Sequence, residues 1–198
     1  MGSIIKTLEQ ETGRTCFDTY RRCLDHERAS LIEYDEFSHE FMKEQGETER
    51  FSGARNIQQI ALDWQERQPA FRLFMDGSRR TYKIADMPIG SQVFPIIAGQ
   101  VGVAVCKREE RVFSPCRFTL HVVLAVPDKL DTEGKNEKQH RAFLVNLVQK
   151  LNINQNRVKL DAVLLYPTRA NENFEDKGIA RIQEYMIEQE KEMVQSLV

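Results

Sequence analysis

The sequence predicts an α+β fold: an N-terminal helical portion, then a mostly antiparallel three-strand sheet, then helix, strand and helix. Three observations predict it. Ahead of Pro69, apolar residues recur at helical spacing within a run dense in charge. From Ala70 the texture changes to stretches rich in Val, Ile and Phe, punctuated by Gly and Pro. The last third alternates amphipathic helical patterns with one short apolar run. The 198 residues, 41% hydrophobic and 29% charged, suffice for one sizeable domain with a real core, or for a domain with a small appendage.

In order, residues 16 to 45 read as a helix carrying Leu24, Leu31, Phe37 and Phe41. Residues 53 to 67 read as a second, with Ile57, Ile60, Ala61 and Trp64, stopped by Pro69. These make residues 1–68 an N-terminal helical region and 69–198 the core. "FRLFM" opens the core as a strand that runs into Asp76, Gly77, Ser78, Arg79 and Arg80. Residues 93 to 109 form the next strand, and Gly99 and Gly102 within it signal a bulge or the close approach of another backbone. A third strand, 116 to 128, ends at Pro127. After a polar loop, Phe143, Leu144, Leu147 and Leu151 mark an amphipathic helix. "VKLDAVLLYPT" is the fourth strand, and residues 174 to 197 are the closing helix.

Charge and cysteines narrow the function classes. With 28 basic and 30 acidic side chains the net charge is −2, so nucleic-acid binding needs a local patch and not a global field. No apolar run is long enough to span a bilayer, and the N-terminus lacks a signal-peptide pattern. Four cysteines without a CxxC pair or zinc-like histidine spacing read as reduced thiols of a cytoplasmic protein.

Two carboxylates carry the chemistry. Asp76 has two readings. Asp-Gly is a common hairpin-turn pair. Alternatively, a carboxylate fixed at a strand end is a hard oxygen ligand for Mg or Mn, with Gly77 admitting a phosphate and Arg79, Arg80 and Lys83 contacting phosphate oxygens. On the closing helix, Ile179, Ile182, Met186, Met193 and Leu197 form one stripe, with Ile187 and Val194 beside it. Glu184, Glu188 and Glu192 lie opposite and read as a solvated face. Glu190 falls on the apolar side, where a charge needs a partner. A frayed last turn, a salt bridge to an arginine and a metal-ligand role all remain open for it. Lys107, Arg108 and Arg111 extend the basic residues into a possible rim, and His121 reads as a satisfied core histidine.

"FRLFMDGSRRTYKI" followed by "FPIIAGQVGVAVCKRE" resembles the NurA nuclease family, best over residues 70 to 110 and by element order thereafter. The resemblance implies an RNase H-like mixed sheet with flanking helices and a manganese- or magnesium-dependent DNA nuclease of the single-strand endonuclease and 5′-to-3′ exonuclease class. It also implies a HerA-type hexameric ATPase as partner, a homodimer, and a role in DNA end processing, repair or phage defence. Asp76 matches the family's DGS aspartate. Glu190 matches its helix glutamate as second catalytic and metal residue, with Glu188 in reserve. Arg79, Arg80 and Lys83 would bind the nucleic acid. The family continues into a strand with a second aspartate, whereas this chain stops at Val198, and Asp161 lies before the helix and does not match. The expectation is therefore a nuclease core apparently lacking its last acidic strand, or, as the alternative, a non-catalytic docking or regulatory module for such an ATPase.

Overall fold

The computed structural model describes residues 2–27, 58, 71–109, 112–130, 137–153, 159–169 and 173–197. The chain divides into two compact units, Met1–Glu27 with Leu73–Val198, and Arg28–Arg72. The helix expected over 53–67, most of the one expected over 16–45, and Arg111 lie outside the described residues, apart from Gln58.

The first unit runs α1 (Gly2–Thr12), β1 (Phe17–Cys23), α2 (Leu24–Glu27), β2 (Leu73–Ile89), β3 (Gln92–Glu109), β4 (Val112–Pro127), α3 (Glu137–Ile153), β5 (Ala162–Tyr166) and α4 (Phe174–Gln195). The sheet order is β1-β2-β3-β4-β5. Successive strands are antiparallel until β4 and β5, which pair in parallel after the α3 crossover. This is the expected α+β arrangement: an antiparallel meander, then helix, strand and helix.

Two local expectations are corrected. Residues 17 to 23 form a strand and not the start of a helix, and residues up to Glu27 group with the sheet in one compact unit. "FDTYRRC" mixes β-prone Phe, Thr and Tyr with charge, and pairing from Phe17↔Asp86 to Cys23↔Tyr82 outweighs the helical pattern. Ahead of it, Ile5 and Leu8 bury one side of α1 against Leu147 and Leu151 of α3. The second correction concerns Asp76, which is neither in a turn nor at a strand end. β2 passes straight through it, pairing continuously from Leu73↔Lys107 to Lys83↔Ile97. The turn falls at Gly90, whose φ of +62° suits glycine.

The meander strands are 16 to 18 residues long, several times the usual strand of about 5–6 residues. Their inward residues alternate. Ile96 of β3, with Ile84, Ala85, Leu124 and Val126, faces α1 and α3. Ile97 and Val101, with Val123, Ala125 and Tyr166, pack under Ile179, Ile182 and Met186 of α4. Val103 and Val105 meet Met193 further along that helix. A bulge at Ile84, between Lys83↔Ile97 and Ala85↔Ile96, reverses the alternation in β2. Before it the odd-numbered residues face α4; after it Ala85 and Met87 face α1 and α3. One end of the sheet is thus covered on both faces. At the other end, no described element covers the face away from α4, and Phe118 and Leu120 on it are exposed.

Candidate functional site

α4 begins at Asn173, whose side chain accepts from the Glu175 amide, and Glu175 and Asp176 in its first turn suit the positive end of the helix dipole. Its expected stripe is the buried one: Ile179, Ile182, Met186 and Met193 are all core. Glu184, Glu188 and Glu192 are exposed, and Arg181 binds the first two. The helix sits very close to the sheet because glycines lie beneath it. A β-carbon at Gly99 would lie 2.8 Å from Cγ2 of Ile182, and one at Gly77 would strike Oε1 of Glu190 and come within 3.1 Å of Met186 Cγ. Gly99 therefore answers the sequence signal as a close approach, and Gly77 is occupied in seating a helix.

That contact also fixes where the two acids point. Glu190 reaches over Gly77, so Gly77 faces α4. Arg79 faces the same way, its Nε donating to Gln183 of α4. Strand residues alternate between faces and the pairing here is unbroken, so Asp76, Ser78 and Arg80 project from the opposite face. Asp76 and Glu190 are neighbours in the fold, yet the sheet stands between their carboxylates. Among the described residues no group of three or more His, Cys, Asp and Glu side chains converges as a metal site. Glu188, the reserve ligand, is bound to Arg181 on the exposed side of the helix. The manganese or magnesium expected here needs oxygen ligands converging on one point, and these residues do not fit it.

The expected basic rim is also divided. Arg79 is held by Asp25 of α2 at 2.7 Å as well as by Gln183. Lys83 lies between Asp86 and Glu175, at 3.1 and 3.0 Å. Burial alone would lower the Lys83 pKa, but hydrogen bonds and charge from Glu175 and Asp86 outweigh it and the net shift is upward. Lys107 pairs with Glu109. Arg80 is exposed on the opposite face, and among the described residues nothing pairs with it.

Sequence reasoning missed Asp25. Its carboxylate also accepts from the amide and the hydroxyl of Thr81, a fully buried residue. Asp25 and Thr81 are 56 positions apart, and no spacing rule joins them. His121 is not the satisfied histidine expected: it lies edge-on to Tyr185 with ring centroids 5.9 Å apart, and its buried Nε2 has no hydrogen-bond partner among the described residues. The chain matches no protein-family model, and no curated protein or solved structure is similar to it at a significant level.

Proposed function

We propose that the chain is a non-catalytic docking or regulatory module, of the kind that would serve a HerA-type hexameric ATPase on DNA, and that it does not cut DNA by itself. One observation carries this reading: Asp76 and Glu190 lie on opposite faces of the sheet. Two-metal phosphodiester hydrolysis needs carboxylates on one side of a shared site, so that the ions sit about 3.5–4 Å apart and clamp the attacking and leaving oxygens. The surroundings of Asp76 support the reading too. It stands with Ser78 and Arg80 on an open face beside exposed Phe118 and Leu120, which suits a partner surface better than a closed catalytic pocket. The RNase H-like ancestry of the core and its homodimer belong to this proposal through the sequence resemblance alone, and its cytoplasmic setting through the reading of its four cysteines as reduced thiols.

The test combines manganese titration by calorimetry, cleavage assays on single- and double-stranded DNA, and capture of a HerA-type ATPase, each with the parent chain and Asp76→Ala. The expected result is no Asp76-dependent metal heat and no cleavage, with the ATPase retained. Manganese-dependent cleavage that Asp76→Ala abolishes would overturn the proposal and restore the nuclease reading.

A further inference from the structure

We propose that the free edge of β2, from Leu73 to Arg80, accepts an extended peptide segment as an added strand. The segment would set a lysine or arginine side chain against Glu190 and an apolar side chain in the groove beside it. The inference names a surface for the docking reading and rests on that reading only for the partner's biological identity.

The edge follows from the register. β3 pairs with all of β2, but β1 reaches only as far as Tyr82. Among the described residues no strand lies on the other side of Leu73–Arg80. The Thr81 amide points away from β3, since it donates to Asp25. Backbone groups alternate in direction along an antiparallel strand, so the N–H and C=O groups of Arg79, Gly77, Met75 and Leu73 also point to the free side. Natural sheets blunt such edges with proline, bulges or lysine. Leu73–Arg80 contains no proline or lysine, its pairing has no bulge, and Arg79 is turned onto Asp25. Asp25 closes the edge at Thr81 and leaves the rest able to form a ladder.

The occupant's chemistry follows from what borders that edge. A groove of about 430 Å³ lies alongside it, lined by Met75, Ile187, Glu190, Lys191, Val194 and Gln195. Met75, Ile187 and Val194 are exposed by 36%, 38% and 47%, although all three are apolar. Glu190 is half-buried over the bare backbone of Gly77 and, among the described residues, makes no hydrogen bond or ion pair. In an added strand, every second side chain points to the α4 side. The one level with Gly77 meets the Glu190 carboxylate and is suited by a cation; the one two positions along lies at Met75 and is suited by an apolar group. A second copy of β2 fits less well, because the cation it would offer on that face is Arg79, which Asp25 already holds.

A palindromic probe removes the question of strand direction. The peptide acetyl-Thr-Ile-Thr-Lys-Thr-Ile-Thr-amide, labelled for fluorescence polarisation, is expected to bind saturably. Its Lys-to-Glu version is expected to bind at least about ten-fold more weakly, a difference of about 1.4 kcal/mol. Glu190→Lys should invert that preference, and Ile187→Asp should abolish binding of both peptides. Met75→Pro removes a free-side N–H without touching the β3 ladder and should also abolish binding, with thermal melts confirming that the variant folds. Absence of saturable binding to the parent, equal binding of the two peptides, or binding undisturbed by both Met75→Pro and Ile187→Asp would overturn the proposal. So would a dimer that Met75→Pro converts to monomer, because that assigns the edge to a second copy. DNA cleavage would sink the docking reading and leave this peptide site standing; absence of peptide binding without cleavage would sink only the site.

Discussion

Replacing Gly99 and Gly77 separately with alanine separates helix seating from phosphate access. At Gly99 the new β-carbon would lie 2.8 and 3.0 Å from Cγ2 and Cδ1 of Ile182, and 3.1 Å from Cγ2 of Val123. Both neighbours are fully buried, and a helical isoleucine has essentially one χ1 rotamer. The clash must be relieved by moving α4 off the sheet, so Gly99→Ala is expected to cost about 1–3 kcal/mol, the usual range for overpacking. At Gly77 the collision is with the end of the Glu190 side chain, which can swing toward solvent, and with Met186 Cγ at 3.1 Å. Alanine also regains about 0.5–1 kcal/mol that glycine costs within a strand, so Gly77→Ala is expected to lie within about 1 kcal/mol of the parent. Urea denaturation followed by far-ultraviolet circular dichroism measures both. For a chain of this size each kcal/mol corresponds to about 2–4 °C in Tm. A Gly99→Ala variant as stable as the parent, or a Gly77→Ala variant less stable than Gly99→Ala, would refute the packing argument. Unchanged stability of Gly77→Ala with lost DNA binding would return Gly77 to a phosphate role.

Two further expectations concern buried polar groups. Asp25→Ala leaves the Thr81 amide without an acceptor and Arg79 without its ion pair, and should cost about 2 kcal/mol; hydrogen exchange should show the Thr81 amide newly unprotected, and unchanged protection would count against the latch. Tyr166→Phe removes the buried bond from the Tyr166 hydroxyl to the Pro95 carbonyl, 2.7 Å long, and should cost about 1 kcal/mol. Alkaline pH adds a second readout. Burial, helped by Asp86 and Asp128, holds the Tyr166 phenol above its ordinary 10.0, and burial with Glu9 pushes the Cys16 thiol from 9.0 up to about 11. Both folded-state values are raised, so their contributions are complete below the ordinary values and decline as pH rises past 9 for Cys16 and past 10 for Tyr166. Denaturation midpoints should fall over that range, and the double variant Cys16→Ala, Tyr166→Phe should fall less steeply.

Much of the core was legible because its pattern was periodic. β3, β4, the crossover helix and the buried stripe of α4 announced themselves through Val- and Ile-rich runs and through the spacing of Ile179, Ile182, Met186 and Met193, whereas of the 17 residues of β2 only its apolar opening was legible as strand. β1 was not legible, because seven residues with mixed charge carry little period, and only a partner strand about 60 positions away makes them extended. Glu190 was legible as an acid on the apolar side of its helix, and it does reach over the sheet at Gly77. Its relation to Asp76 was not legible. Which face an acid takes depends on register along the whole strand, and adjacent residues such as Asp76 and Gly77 differ by half a turn. The Asp-Gly pair added a misleading local signal, since glycine permits a turn but here makes room for a helix.

The bulge at Ile84 has a genetic consequence. Ile84 is the one residue between Leu73 and Ile89 that has no partner in β3, so losing its codon would close the ladder from Lys83↔Ile97 straight to Ala85↔Ile96 and leave every other residue on its present face. A codon lost at Ser78 acts differently: it would slide Leu73–Gly77 by one position against β3, turn Asp76 toward α4 beside Glu190 and take Gly77 from its post under the helix. The divided acids of this chain and a united pair are therefore separated by three nucleotides, and those nucleotides lie in the paired arm and not at the bulge.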